Sequence, residues 1–171
     1  MNLNKALFIK YFKNKMSQDE LFKNIGIKEI GFEKCLLDKI FYAYEQEDAE
    51  MIEYLIFTIY LGEEEINLSL FLDILNRLIL CKWHNQHENI VLLLQKISSP
   101  ESVKYLYKAI FMELDYLKWD DNFAFEKKCI HAMAKCNSQE TVRNLRHLAT
   151  NENEIIKLCA ERQLQKMQDN T

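Results

Sequence analysis

The sequence predicts an all-α fold, and two features of the chain lead to that prediction. Its 171 residues include three glycines and one proline, fewer than sheets with tight turns and long loops require. Most segments also carry apolar residues three or four positions apart, which is the spacing of one helix face. Because 49% of the residues are apolar, a chain of this length can bury a core as one domain. We therefore expect about ten helices in a single domain over residues 1–171.

The N-terminal half predicts five helices that are separated by polar residues or glycine. In chain order they cover residues 3–16, 17–25, 32–46, 48–61 and 67–82. Ser17 and Glu20 have the spacing of a capping box at the start of the second helix. Gly26, Gly31 and Gly62 stand where helices begin or end, since glycine readily adopts the backbone conformations found there. The fifth helix is apolar almost all round, which predicts a buried position.

The C-terminal half contains one helical hairpin written twice. The apolar pattern of residues 88–110 recurs in residues 127–149, so that Ile90 aligns with Cys129, 39 residues later. A period near forty residues with two helices per unit is typical of HEAT or armadillo-type solenoids. We therefore predict a HEAT-like α-α superhelix, whose stacked units offer an elongated surface to another macromolecule. The predicted repeat units are residues 85–115 and 122–150, followed by a terminal half-unit at residues 152–168.

Polar residues predict where the helices of these units begin. Ser99 is expected to be an N-cap, with Pro100 as the first helical residue, where a missing N–H costs nothing. Asn151, with Glu154 three residues later, is expected to cap the last helix, predicted over residues 152–168. These positions fix the expected turns between the helices.

The charge distribution predicts an acidic interaction surface. Residues 41–76 hold nine acidic residues and no lysine or arginine, whereas residues 1–40 and 77–171 carry net charges of +3 and +2. An acidic block attracts a cationic protein surface and speeds encounter with it; a solvated face that keeps the chain soluble is the plain alternative. The acidic residues cluster at 45–50, where one predicted hairpin starts, and at 63–65, where it ends. These two clusters could lie on opposite edges of the helical layer. The candidate contact residues are Glu45, Glu47, Asp48, Glu50, Glu63, Glu64 and Glu65. No basic stripe with interleaved aromatic residues is present, so nucleic acid is not expected as a partner.

A short histidine-containing segment is the strongest candidate for a metal site. Cys81, His84 and His87 lie at intervals of three and could supply three zinc ligands. No second cysteine or histidine cluster completes the set, so we expect no metal and no other cofactor. Hydrogen bonding of His84 and His87 at a helix junction, with Trp83 packed beside them, explains the segment more simply. Trp83 and His84 remain candidates for contact with a partner.

A second candidate segment combines aromatic and acidic residues between the two repeat units. Its carboxylates could imitate a catalytic pair, but Asp120 or Asp121 more simply caps the helix that begins near Asn122. Aromatic residues among carboxylates suit an interface, which makes Trp119, Asp120 and Asp121 a second group of contact candidates. The sequence holds neither a glycine-rich phosphate loop nor a nucleophile elbow. We therefore expect a binding protein and no enzyme.

The cysteines and the apolar stretches predict where the protein works. Its five cysteines are an odd number, and four of them lie on apolar stripes, where a cysteine is usually a small buried hydrophobe. Residues 51–61 and 66–81 are too short or too charged to cross a bilayer. No secretory segment is evident at the N-terminus. Reduced thiols and no export signal predict a cytoplasmic protein without a membrane partner.

One run of the sequence resembles a group of small bacterial HEAT-repeat proteins, and the resemblance covers about residues 70–167. The residues that carry it are Trp83-His84-x-x-His87-Glu88-x-Ile90-Val91, Tyr105-Leu106-Tyr107-Lys108-Ala109 and Lys128-Cys129-Ile130. The resemblance implies an immunity protein of a polymorphic-toxin or contact-dependent growth inhibition system. Such a protein binds the C-terminal domain of one cognate toxin in the cytosol and blocks its action. Many such toxins are nucleases, with basic active-site surfaces that an acidic protein can occupy.

Two alternatives to immunity are left open by the sequence. HEAT repeats serve many ends, so a scaffold or adaptor in another bacterial process is the second hypothesis. Deoxyhypusine hydroxylase and the phycobilin lyases are HEAT-like enzymes, and a metal-dependent hydroxylase or lyase is the third. Only His87-Glu88 matches the histidine–glutamate pairs of the hydroxylase, because Glu126-Lys127 stands at the equivalent place one repeat later.

Overall fold

A computed structural model describes residues 5–169, and within that range the chain forms ten α-helices and no β-strand. The predicted all-α class is therefore confirmed, while the HEAT-like superhelix stays a prediction. The backbone divides into two compact units, unit 1 (Met1–Ile74) and unit 2 (Leu75–Thr171). Among the helices of residues 5–169, none has both the length and the apolarity needed to cross a membrane.

Unit 1 is built from helical pairs. Its helices are α1 (Lys5–Phe12), α2 (Gln18–Ile25), α3 (Phe32–Glu45) and α4 (Ala49–Leu61). Helix α1 packs against α2, and α3 packs against α4 and against a 3₁₀ turn at Leu68–Phe71. The apolar stripes that predict these helices form the core, with no exposure at Phe8, Leu36, Ile40, Ile52, Leu55, Ile56 and Ile59.

The ends of the unit 1 helices follow local hydrogen-bond chemistry. The capping box is confirmed, because the Glu20 amide donates to Ser17 Oγ (3.2 Å) and the Ser17 amide to the Glu20 carboxylate (2.9 Å). Gly26 ends α2 with a left-handed φ of 74°. Gly62 ends α4 with a φ of −94°, so a left-handed backbone does not explain the glycine at this position. A Cβ at this position would lie 2.4 Å from Ile27 Cδ1, so glycine is needed for close packing.

Two predicted helices are shorter in the structure. The helix predicted over 67–82 is a 3₁₀ turn followed by α5 (Leu72–Leu78). The Asn67 side chain accepts a hydrogen bond from the Ser69 amide (3.2 Å) and starts the tight turn, and a bond from the Cys81 amide to the Leu78 carbonyl (2.9 Å) tightens the other end. The helix predicted over 3–16 ends at Phe12, and its first two positions lie outside the described residues.

Unit 2 contains the two repeats and the last helix. Its helices are α6 (His87–Ile97), α7 (Val103–Ala109), α8 (Ala124–Lys135), α9 (Gln139–Leu148) and α10 (Glu154–Asp169). Helix α8 contacts α6, α7, α9 and α10, and α9 also contacts α10. The aligned residues of the two repeats are buried in pairs without exposure: Ile90 and Cys129, Leu94 and Met133, Leu106 and Leu145.

One predicted cap of unit 2 is confirmed and one is wrong. Ser99 Oγ accepts from the Glu101 amide (3.3 Å), and Pro100 opens a 3₁₀ turn that leads into α7. Asn151 does not cap α10. The cap is Asn153, whose side-chain oxygen accepts from the Ile155 amide (3.0 Å) and from the next amide (3.3 Å). Asn153 directly precedes the first helical residue, which is the position from which a side chain reaches these amides.

Candidate functional site

The candidate metal segment is a hydrogen-bonded histidine junction in unit 2, as its simpler interpretation predicts. His84 Nε2–H donates to the Leu78 carbonyl (2.9 Å), and Nδ1 of the same ring accepts from the Gln86 amide (3.1 Å). His87 Nε2–H donates to the Cys81 carbonyl (2.7 Å), and its Nδ1 accepts from the Tyr116 hydroxyl (3.0 Å). A carbonyl only accepts, so Nε2 carries the proton in both rings. The two imidazoles stack with their centroids 4.4 Å apart.

Burial keeps both imidazoles neutral. It lowers the pKa of His84, and burial together with the neighbouring His84 lowers the pKa of His87 to about 4. Burial, with the nearby Glu88 carboxylate, raises the pKa of Tyr116 to about 12. All four ring nitrogens of His84 and His87 make hydrogen bonds to protein groups. The third candidate ligand, the Cys81 thiol, lies 3.4 Å from the Arg77 carbonyl oxygen. Among the described residues, no group of three or more His, Cys, Asp or Glu is placed to hold a metal ion.

The aromatic candidates beside this junction differ in exposure. Trp83 packs edge-on against His84 with the ring centroids 5.0 Å apart, as the sequence predicts, and it is half-buried. His84 itself is buried, so its side chain does not form part of an open surface. Trp119 is 92% exposed, and its indole is the side chain of this group that a partner can reach most directly.

The structure separates the roles of the two aspartates that follow Trp119. The Asp120 carboxylate accepts from the Asn122 amide (3.0 Å) and from the Ala124 amide (2.8 Å), so it caps the first amide of α8, while Phe123 holds the N-cap position with no side-chain hydrogen bond. Asp121 is exposed. Of the two capping alternatives that the sequence leaves open, the structure selects Asp120, and Asp121 remains a surface residue next to Trp119.

The acidic candidates of unit 1 lie at the two ends of α4. This helix of 13 residues spans about 20 Å at the usual rise per residue, so the acids at its start and the acids after its end form two separate groups. The first group is partly engaged, because Asp48 caps α4 by accepting from the Met51 amide (3.0 Å) and Glu50 pairs with Lys5. In the second group Glu65 pairs with Lys28 (3.3 Å). Part of the negative charge of residues 41–76 is therefore balanced by Lys5 and Lys28, which lie outside this segment of the sequence.

The second acidic group opens onto a groove between α2 and the chain that follows α4. This acidic groove has a volume of about 600 Å³, and Phe22, Ile27 and Leu61 form its apolar part. Its charged lining residues are Asp19, Glu29, Glu64, Glu65, Lys23 and Lys28. The groove therefore joins an apolar surface to an excess of carboxylates, and two predicted contact residues line it.

Unit 2 contains a groove of opposite charge that the sequence does not predict. This basic groove, between α8 and α10, has a volume of about 610 Å³ and includes Ile155 and Leu158. Its basic lining residues are Lys127, Lys128, His131, Arg162 and Lys166. A smaller cavity of about 310 Å³ shares His131 and Lys166 with it and adds Lys135. In the sequence, basic residues follow one another at intervals of four along α8 (Lys127, His131, Lys135) and along α10 (Arg162, Lys166). This spacing indicates one basic face on each helix. The net charge of the segment does not reveal these faces, because both helices also contain acidic residues.

Comparisons of the chain with protein-family models, with curated proteins and with solved structures find no match. The fold and its surfaces therefore define the class: an all-α protein with an acidic groove in one compact unit and a basic groove in the other.

Proposed function

We propose that this protein is an immunity protein, which neutralises the C-terminal domain of a cognate bacterial toxin by binding it in a stoichiometric complex in the cytoplasm. The observation that carries the proposal is the acidic groove of unit 1, where carboxylates surround an apolar surface. The resemblance of residues 83–109 to bacterial immunity proteins supports the same function. A toxin that acts on nucleic acid presents a cationic surface, and the groove has the complementary charge.

The chemistry of the groove suits an anchor residue surrounded by basic side chains. Phe22 and Leu61 offer apolar contact, and interface energy concentrates where such contacts are sealed from water. The exposed Lys28–Glu65 pair is of a kind that contributes at most about 1 kcal/mol. An incoming lysine or arginine can therefore replace Lys28 at small cost, and Glu64 is exposed beside it.

Trp119 supplies a second contact candidate, in unit 2. A tryptophan that is 92% exposed adds little to the folded core, and tryptophan is among the residues that contribute most at protein interfaces. We propose that Trp119 and Asp121 contribute to toxin binding after the acidic groove has directed the encounter.

Co-expression with the C-terminal domain encoded by the adjacent open reading frame tests whether that domain is a toxin and whether this protein neutralises it. We expect growth to be rescued, and the purified proteins to form a complex of fixed stoichiometry in isothermal titration calorimetry. The absence of both rescue and complex with the neighbouring domain would refute the immunity function and favour a scaffold role.

Charge reversal tests the groove as the contact site. Glu64→Lys should slow association with the toxin domain about tenfold at low salt, because steering by charge acts mainly on the association rate. Glu53→Lys is the matched control, since Glu53 is exposed on α4 and does not line the groove. Stopped-flow measurement of both variants compares them directly. Equal slowing of both would show an effect of net charge alone, and an unchanged rate for Glu64→Lys would assign the contact to Trp119.

A further inference from the structure

The basic groove of unit 2 has the electrostatic character of a binding site for an anionic partner. The groove is lined by residues within the described range 5–169, and none of these lining residues is an aspartate or a glutamate. Burial first, and then the charges of Lys166 and Lys127, lower the pKa of His131. Four cationic side chains and no carboxylate line the groove, so its potential is positive, although Lys128 also pairs with Glu88 (2.6 Å).

The apolar part of the groove distinguishes between anionic partners. Ile155 and Leu158 are 37% and 41% exposed, so an occupant with an apolar side chain gains by covering them. The described lining contains no phenylalanine, tyrosine or tryptophan, whereas sites for single-stranded nucleic acid stack successive bases on such rings. The chemistry favours an acidic protein segment that presents an apolar or aromatic side chain among its carboxylates.

The turn between α3 and α4 of this same chain has that chemistry. Tyr42 is 67% exposed at the end of α3, and Glu45 and Glu47 are exposed next to it. Glu47 holds a left-handed φ of 50° at the tip of the turn. We call Tyr42, Glu45 and Glu47 the acidic turn. It combines an exposed ring with carboxylates, as the basic groove requires.

We infer that the basic groove of one molecule binds the acidic turn of a second copy of this chain, so that the protein associates with itself. The Tyr42 ring would cover Ile155 and Leu158, while Glu45 and Glu47 would meet Lys127 and Arg162. The contact joins two different surfaces, so it is heterologous. It does not use the acidic groove, because Glu64 and the acidic turn lie at opposite ends of α4.

Sedimentation equilibrium with two charge-reversal variants tests this self-association. The groove variant is Lys127→Glu/Arg162→Glu, and the turn variant is Glu45→Lys/Glu47→Lys. We expect the unmodified protein to associate at about 0.05 M salt and about tenfold more weakly at about 0.5 M, because salt screens exposed charges. Each variant alone should be monomeric. Mixing the two should restore association, since the mixture contains one intact groove and one intact turn.

Controls separate the contact from general effects of charge or folding. Lys82→Glu/Lys104→Glu makes the same charge change at exposed residues outside the groove and should leave association intact. Circular dichroism checks that each variant is folded, and the neutral variant Lys127→Gln/Arg162→Gln replaces the groove variant if that one is not. A monomeric unmodified protein, or a mixture of the two variants that stays monomeric, would overturn the inference.

A labelled single-stranded DNA oligonucleotide provides the competing outcome. Binding of this DNA by a monomeric protein, lost in the groove variant and kept in the control, would assign the groove to nucleic acid and overturn self-association. The toxin-binding proposal is tested separately, because Glu64 belongs to neither contact. A protein that neutralises its toxin while remaining monomeric refutes this inference alone.

Discussion

At the scale of single residues, the histidine junction satisfies backbone groups where a helix ends. The last carbonyls of a helix have no partner within it, and beyond α5 the chain turns sharply before α6 begins. His84 bonds to the Leu78 carbonyl and His87 to the Cys81 carbonyl. Neutral rings are required for this arrangement, because Nδ1 of each ring accepts a hydrogen bond that an imidazolium cannot accept.

The buried His87 predicts a loss of stability in mild acid. Its pKa is about 4 in the folded protein, below the ordinary value of 6.5. Between these two values the unfolded chain binds a proton that the folded protein does not bind. The free energy of unfolding should therefore fall as the pH decreases from 6.5 to 4, with a slope of up to about 1.4 kcal/mol per pH unit from this group. The contribution is fully present above pH 6.5.

Urea unfolding as a function of pH measures this effect. The variant His87→Gln should show a flatter dependence between pH 6.5 and 4 than the unmodified protein. His147→Gln is the control, because His147 is exposed. NMR titration should show His87 unprotonated throughout most of this range. An ordinary titration of His87 near pH 6.5 would contradict the proposed role of burial.

At the scale of helices, the start of α8 depends on a single carboxylate. Both oxygens of Asp120 accept backbone amides at this end, and α8 packs against four other helices of unit 2. Asp120→Ala should lower the free energy of unfolding by about 1–2 kcal/mol, because two backbone amides lose their charged acceptor. Asp121→Ala should change it by less than about 0.5 kcal/mol, as expected for an exposed residue. Urea unfolding followed by circular dichroism compares the two; equal losses would contradict the assignment of the cap.

Local patterns predict helices and buried faces, but surfaces depend on contacts between distant residues. The capping box of Ser17 and Glu20 spans four consecutive residues, so the sequence contains all of it. The Lys5–Glu50 pair joins residues 45 apart, and the basic groove joins α8 to α10. Charge counted along the chain therefore predicts an acidic block, and it misses both the lysines that reach this block and the basic groove. The cap at Asn153 was missed because Asn151 has the expected spacing to Glu154.

At the scale of the whole molecule, the boundary between the two compact units lies within a helix. It falls between Ile74 and Leu75 of α5, and both residues are fully buried. Domain boundaries usually lie in exposed linkers rich in glycine, proline or polar residues. The described residues hold no such linker at this boundary, and the single domain over residues 1–171 stays a prediction that unfolding experiments test.

Two optical probes test whether the chain unfolds as one cooperative structure. Both tryptophans, Trp83 and Trp119, belong to unit 2, so their fluorescence reports that unit, whereas far-UV circular dichroism reports the helices of both units. We expect the two signals to change together in urea, as in a two-state transition. Labelling of Cys35, a half-buried free thiol in α3 of unit 1, should accelerate at the same midpoint. Loss of helical signal and exposure of Cys35 at lower urea, before tryptophan fluorescence changes, would instead show that unit 1 unfolds independently and that the chain contains two domains.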